Sequence, residues 1–154
     1  MSATGRSEGL TESVKFTLAK EGVSAAQTSI DDAEIIDMAG FDAVAFAVIC
    51  DTPGSGTSEV TVKVEQSDAS NMEDEDDLAG LISEYEIAHD ADEEVLIVDL
   101  IRPAKRYVRC VVDRADEDIA IGGILAMQYA ARSKPVTQDD SVEHELTANP
   151  AVVV

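Results

Sequence analysis

The feature that most constrains this chain is an alternation of apolar and polar side chains with a period of two, which recurs along the sequence and never yields to a helical stripe of three turns. In Val60-Thr61-Val62-Lys63-Val64-Glu65 the valines fall on one side and the polar residues on the other, as a strand with one wet face requires. Val14, Phe16 and Leu18 alternate in the same way with Ser13, Lys15 and Thr17, which predicts that the apolar three face the core. Across Ala43–Cys50, Val44, Phe46, Val48 and Cys50 form one face and Ala43, Ala45 and Ala47 the other, and a strand apolar on both faces belongs at the centre of a sheet. Between Ile119 and Tyr129, the residues Ile119, Ile121, Leu125, Met127 and Tyr129 share a face opposite Ala120, Gly122 and Ala126. Alternating large and small residues suits the close packing of two sheets.

Turn residues divide these segments. Asp51-Thr52-Pro53-Gly54-Ser55-Gly56-Thr57 reads as a hairpin loop, Arg102-Pro103-Ala104-Lys105 separates Val95–Ile101 from Arg106–Val112, and Ala115-Asp116-Glu117 precedes the last strand. Three strands joined so closely predict an antiparallel meander. With Ile35–Met38 and Leu81–Ala88 the count reaches about eight strands, and the best helical candidate is a short turn near Ser29–Ala33. The expected fold is all-β, an antiparallel β-sandwich or jelly roll of about eight strands.

A chain of 154 residues, 45% of them hydrophobic, is long enough to bury roughly 70% of its unfolded surface without a disulfide or metal. The alternation occupies residues 11–133, so a sandwich domain is expected there, with an N-terminal arm over 1–10 and a C-terminal arm over 134–154. The apolar tail Val152, Val153 and Val154 has the β-propensity to add to a neighbour's sheet edge. Met1–Thr11 carries no apolar stretch of the kind a signal peptide needs, and the eight-residue run Ala43–Cys50 is far short of the ~20 residues that span a bilayer. The expectation is a soluble chain made in the cytosol, with Cys50 and Cys110 as buried free thiols.

Charge removes further classes. With 32 acidic against 11 basic residues, the net charge of −21 disfavours both nucleic acid and anionic membrane, because phosphate binding needs a basic surface. The charge is also segregated: residues 65–94 hold thirteen acidic side chains and no Lys or Arg, whereas Arg102, Lys105, Arg106, Arg109 and Arg114 fall within thirteen positions. These cations either pair with the surrounding carboxylates or form a docking stripe for an acidic partner or a second copy of the chain; Arg102, Lys105, Arg106 and Arg109 are the candidate contact residues. An EF-hand frame started at Asn71 places Asp76 where glycine is needed and Ile82 where the bidentate acid is needed, so the acidic run reads as a solvated loop.

No catalytic constellation is legible. His89 and His144 lack Cys or His at ligand spacing, and Gly54-Ser55-Gly56 lacks the lysine of a phosphate loop. A carboxylate pair could hide among so many acids, but sugar clefts commonly rely on aromatic platforms, and aromatic residues make up 4% of the chain with no Trp. Tyr85 and Tyr107 are the available platform residues, and Tyr107 also suits cross-strand packing. The expectation is a protein that is not an enzyme and holds no cofactor or metal.

Four stretches occur in order: Ile36-Asp37-Met38-Ala39-Gly40-Phe41-Asp42-Ala43-Val44, Val62-Lys63-Val64-Glu65-Gln66-Ser67-Asp68, Leu100-Ile101-Arg102-Pro103-Ala104-Lys105-Arg106-Tyr107-Val108-Arg109 and Met127-Gln128-Tyr129-Ala130-Ala131-Arg132-Ser133-Lys134-Pro135. From about residue 33 to 136 this pattern resembles small structural proteins encoded in the head modules of tailed bacteriophages. The resemblance implies a virion protein of the capsid exterior, a decoration or cement protein that binds the major capsid protein and bridges capsomers. It further implies self-association, with a trimer favoured. A head-completion or tail component, and a carbohydrate-binding β-sandwich module, are the alternatives.

Overall fold

A computed structural model of the chain describes residues 8–54, 56–77, 83–88, 93–114 and 119–147. Among the described residues one helical turn, α1 (Leu10–Ser13), precedes nine strands: β1 (Lys15–Lys20), β2 (Ile36–Asp37), β3 (Phe41–Cys50), β4 (Thr57–Ser67), β5 (Asp76–Asp77), β6 (Ser83–Ala88), β7 (Glu94–Ile101), β8 (Tyr107–Asp113) and β9 (Ile121–Ala131). Near Ser29–Ala33, where a helical turn was the expectation, Ile30 instead bridges Val112 through two backbone hydrogen bonds of 2.8 and 3.0 Å. All pairings are antiparallel. The first sheet runs β1-β9-β3-β7; the second runs β2-β8-β4, with β5 and β6 both paired to β4. The molecule is an all-β sandwich of these two sheets.

The alternation decides what lies between them. Val44, Phe46, Val48 and Cys50 of β3, with Leu96, Val98 and Leu100 of β7, face Val60, Val62 and Val64 of β4 and Val108, Cys110 and Val112 of β8. Both cysteines are free and buried. Burial pushes their thiols up, Cys50 to about 11 and Cys110 to about 12, so both behave as small apolar side chains. As its two apolar faces predict, β3 is central, between β9 and β7.

Connectivity departs from the meander. Arg102–Arg106 links β7 in the first sheet to β8 in the second, and the chain returns to the first sheet for β9. The Asp51–Gly56 segment is not a hairpin either, since β3 and β4 lie in different sheets. A two-residue primed turn would hold consecutive strands in one ladder; these longer Pro-containing connections span the gap between layers instead.

A β-bulge corrects the face assigned to β9. Ile49 pairs with Gly123 and Cys50 with Ile121, leaving Gly122 as the extra residue. The bulge reverses the parity, so Ile121, Ile124, Ala126 and Gln128 are buried, whereas Leu125, Met127 and Tyr129 turn to the outer face. The same ladder sets β1. Lys15 pairs with Gln128 and Leu18 with Leu125, so Thr17 and Ala19 are buried and Leu18 is 40% exposed, the reverse of the expected face.

The C-terminal segment, expected as an arm free to order on a partner, lies over residues 136–141 along the edge of β1. Gln138 Oε1 accepts from the Phe16 backbone N–H (2.7 Å), Ser141 Oγ accepts from that of Leu18 (3.0 Å), and the Val136 N–H donates to the Glu12 carbonyl (2.9 Å). The Gln138 amide completes the clamp by donating to the carbonyls of Val14 (2.6 Å) and Thr11 (2.9 Å). Side chains thus satisfy edge groups that a further strand would otherwise pair.

Gly123 has φ of +153°, and a Cβ there would stand 3.2 Å from the Lys20 carbonyl oxygen. Gly123→Ala is expected to destabilise the fold by about 1–3 kcal/mol. Gly54→Ala, whose Cβ would meet nothing within 4 Å, is expected to stay within about 0.5 kcal/mol of the parent. Urea unfolding of both variants checks the pair.

Candidate functional site: a cationic cleft at one end of the sandwich

Four strand ends converge. The start of β3, the end of β7, the start of β8 and the end of β9 bring together the turns at residues 38–42 and 102–106 and the residue after β9. Between them is an open cleft of about 420 Å³ whose lining includes Arg102, Lys105, Arg106 and Arg132 around Phe41 and Pro103. Four of the chain's eleven cations therefore meet here.

Each is placed by its element. Arg102 has φ of +54° and turns the chain out of β7, its backbone N–H donating to the Asp42 carbonyl at 2.7 Å. The next turn is held by Gln66 of β4, the strand neighbouring β8 in the second sheet, whose Oε1 accepts from the backbone N–H groups of Ala104 (3.0 Å) and Lys105 (3.3 Å). Lys105 Nζ reaches the Asp74 carbonyl at 3.5 Å. Arg106 makes a two-pronged pair with Asp37, both contacts 2.9 Å, and its guanidinium lies 5.2 Å from the centroid of the Tyr107 ring. Arg132 donates to Asp42 at 2.8 and 3.2 Å.

The electrostatics follow from that geometry. The hydrogen bond from Arg106 holds the Asp37 carboxyl below its ordinary 3.8, and the same contact raises Arg106. Asp37 stays ionised, the pairing is present above pH 3.8, and it is lost as the pH falls through the lowered folded value. Arg106 is held by Asp37 and Arg132 by Asp42, while the charge of Lys105 acts on the Asp74 carboxylate, so the cleft gathers cations on a chain of net charge −21. No hydroxyl, thiol or imidazole is among the lining residues, so what the arrangement offers is the holding of an anion: guanidinium forks and an ammonium suit carboxylates.

Of the residues singled out in the sequence, Arg102, Lys105 and Arg106 meet here and Arg109 does not. Arg109 sits on β8 directly opposite Glu65 of β4 and donates to it at 2.7 Å, while Lys63 Nζ lies 3.6 Å from the other oxygen of that carboxylate. It is a cross-strand pair within the second sheet. Arg114, the last cation of the stripe, is buried; its guanidinium donates to the carbonyls of Ser24 (2.7 Å), Thr28 (3.1 Å) and Ile119 (2.5 Å), tying an irregular segment to the end of β8. Val152, Val153, Val154 and His89 lie outside the described residues, as does the side chain of Tyr85. His144 is exposed in the segment that follows the β1 clamp. Arg132 was missed because it lies thirty residues from Arg102 in sequence, and only the β3–β9 ladder brings it in. Within the acidic run, Asp74 accepts a hydrogen bond from the Ser67 hydroxyl, which lowers its pKa.

No known protein family matches the chain, and no curated protein matches it. Among the described residues no group of three or more His, Cys, Asp or Glu side chains is arranged to hold a metal ion, and no helix is long and apolar enough to cross a membrane.

Gln66→Leu keeps the side-chain volume while removing the acceptor that holds the 102–106 turn. The expected cost is about 1–3 kcal/mol, the penalty of leaving N–H groups unpaired, with faster amide exchange at Ala104 and Lys105 than at Cys110 in the middle of β8.

Proposed function

We propose that this chain is a virion structural protein, a decoration or cement protein that binds the outer surface of a bacteriophage capsid and bridges its subunits. The observation that carries the reading is the gathering of Arg102, Lys105, Arg106 and Arg132 into one cleft on an otherwise strongly acidic sandwich. Such a surface suits a docking partner that presents carboxylates, here acidic loops of the major capsid protein. The resemblance across residues 33–136 supports the same reading, and the two hydrogen bonds from the 102–106 turn to Gln66 help fix the shape that docking needs.

The mechanism is a clamp. Packaged genome pushes outward on the shell, and a protein in contact with two subunits adds interfaces that must break before those subunits separate. A stable bridge of this kind buries on the order of 800 Å² on each partner, with the cleft supplying register and the surrounding surface supplying area. An anionic remainder keeps decorated particles dispersed.

The test is co-sedimentation of the full chain with shells assembled from the major capsid protein of the same genome. Saturation at hundreds of copies per shell is the expected result, and a Lys105→Glu/Arg132→Glu variant, changed at one half-buried and one exposed side chain, is expected to lose at least tenfold in affinity and to bind with a shallower salt dependence. Absence of binding, or a few copies per particle, overturns the decoration reading. Undiminished binding of the double variant removes the cleft from it.

A further inference from the structure

We propose that two copies of this chain pair through β7, edge to edge and antiparallel across a two-fold axis at Val98, joining their first sheets into one continuous sheet. This goes beyond the capsid reading and does not depend on it.

The first sheet has two edges, and they differ. At β1 the edge N–H groups of Phe16 and Leu18 are taken by Gln138 and Ser141, so that edge is closed from within the chain. At the other end stands β7, Glu94-Val95-Leu96-Ile97-Val98-Asp99-Leu100-Ile101, which among the described residues pairs only with β3. It carries no lysine, proline or bulge, the usual devices that blunt an edge. Its outward side chains are unusually apolar for a surface: Val95 is 56%, Ile97 54% and Ile101 65% exposed. The neighbouring outer positions continue the patch, since Ile49 pairs with Val95, and Ala47 lies between Ile97 and Leu125. Asp99, the charge among those outward side chains, accepts the Tyr129 hydroxyl.

Among the described residues the first sheet has one open edge, and that sets the symmetry of any pairing between first sheets. A ring of three built by joining first sheets needs two complementary edges on that sheet, and the clamp on β1 removes one of them. Like edges pair isologously, which gives two copies and closure.

The register follows from backbone phase. Arg102 donates its N–H to the Asp42 carbonyl, so in this antiparallel ladder residues 96, 98 and 100 turn their backbone groups toward β3 and residues 95, 97, 99 and 101 turn theirs to the open side. An antiparallel partner must then set odd positions opposite odd positions. With the axis at Val98, Ile97 faces Asp99 of the second copy and Val95 faces Ile101, while at both ends Glu94 comes opposite the turn where Arg102 leaves the strand, bringing opposite charges near each other twice. Moving the axis to Asp99 opposes two carboxylates, and moving it to Ile97 sets Asp99 against Val95 and leaves Glu94 opposite Leu100. The apolar outer face of each first sheet, about 500 Å² from the usual strand spacing and rise, is below the ~800 Å² per partner that a stable face-to-face dimer needs. Edge pairing is the arrangement that also satisfies the open backbone groups.

The test is sedimentation equilibrium of the full chain over a concentration series reaching about 1 mM, in roughly 0.15 M and 1 M NaCl. The expected result is a reversible shift from one copy toward two, tighter at high salt because the net charge of −21 on each copy opposes contact. Ile97→Lys, at an exposed position, is expected to weaken association at least tenfold with the unfolding midpoint unchanged. Arg102→Glu alone is expected to weaken it severalfold, and the exchange Glu94→Arg/Arg102→Glu to restore it to within about threefold of the parent. Concentration-dependent protection of the Val95, Ile97, Asp99 and Ile101 amides completes the expectation. A single copy under all conditions, a three-copy species, parent-like association of Ile97→Lys, or failure of the charge exchange to restore association overturns the proposal. Shell binding is measured separately with Lys105→Glu/Arg132→Glu, so either reading can fail while the other stands.

Discussion

The mutual burial of two valine-rich faces is the interaction on which the rest of this molecule depends. Val44, Phe46 and Val48 on one layer and Val60, Val62 and Val64 on the other are all fully buried, each worth roughly 1.5–3 kcal/mol for removal from water. Because β3 sits between two neighbours and carries alanines on its other side, the outer face of its sheet is apolar as well, only less so. A sandwich usually sends polar residues outward; this one does so on β4 and β8 far more than on β3, β7 and β9. That asymmetry is a property of the sequence period itself, and it leaves one sheet with a surface that water solvates poorly.

Closing a sandwich creates edges, and the chain treats its edges unequally. At β1 the problem is solved by side chains: one glutamine and one serine satisfy two strand N–H groups, and the glutamine amide holds two carbonyls of the same stretch. Asp139 supports that arrangement by accepting from the Ser141 backbone and hydroxyl, contacts that hold its carboxyl below the ordinary value and keep it charged. Stability from this contact is therefore present at neutral pH and disappears in strong acid as the carboxylate protonates. The opposite edge has no such cover among the described residues, and its side chains are those that pair well.

Much of this was legible in the sequence, and the parts that were not share one cause. Strand positions follow from local alternation, so β3, β4, β6, β7 and β8 fall within about two residues of where the pattern puts them. Which sheet a strand joins is not local. The Arg102–Lys105 turn has the composition of a hairpin turn, yet its left-handed Arg102 and its anchor on Gln66 carry the chain across the layers. Parity failed at Gly122-Gly123 because a bulge costs one residue of register and leaves no mark in composition beyond the glycines themselves; in β1 local alternation named the wrong face, because pairing with β9 turns Thr17 and Ala19 inward. Arg102, Lys105 and Arg106 could be grouped by sequence because one turn holds them. Arg132 could not, since its place in the cleft is set by a ladder partner ninety residues earlier. Arg114 looked like a surface cation and proved to be a buried crosslink, because nothing in its neighbours announces the carbonyls of Ser24 and Thr28.

The charge distribution and the exposed edge are best understood together. A flat, apolar strand left open at high concentration is an aggregation hazard, and the ordinary remedy of a lysine on the strand is missing here. Net charge supplies a different remedy that acts at longer range: every copy repels every other until the ions of the solution, or a surface of opposite charge, screen them. Gathering four of the eleven cations in one cleft at the end of β7 keeps the repulsion over most of the surface while leaving Arg102 beside the edge. Contact between copies is then permitted in one relative orientation, the one that carries that arginine to the acidic start of the facing strand, and is discouraged in the rest. A chain with the same composition but evenly mixed charges would lose both the repulsion and the choice of register.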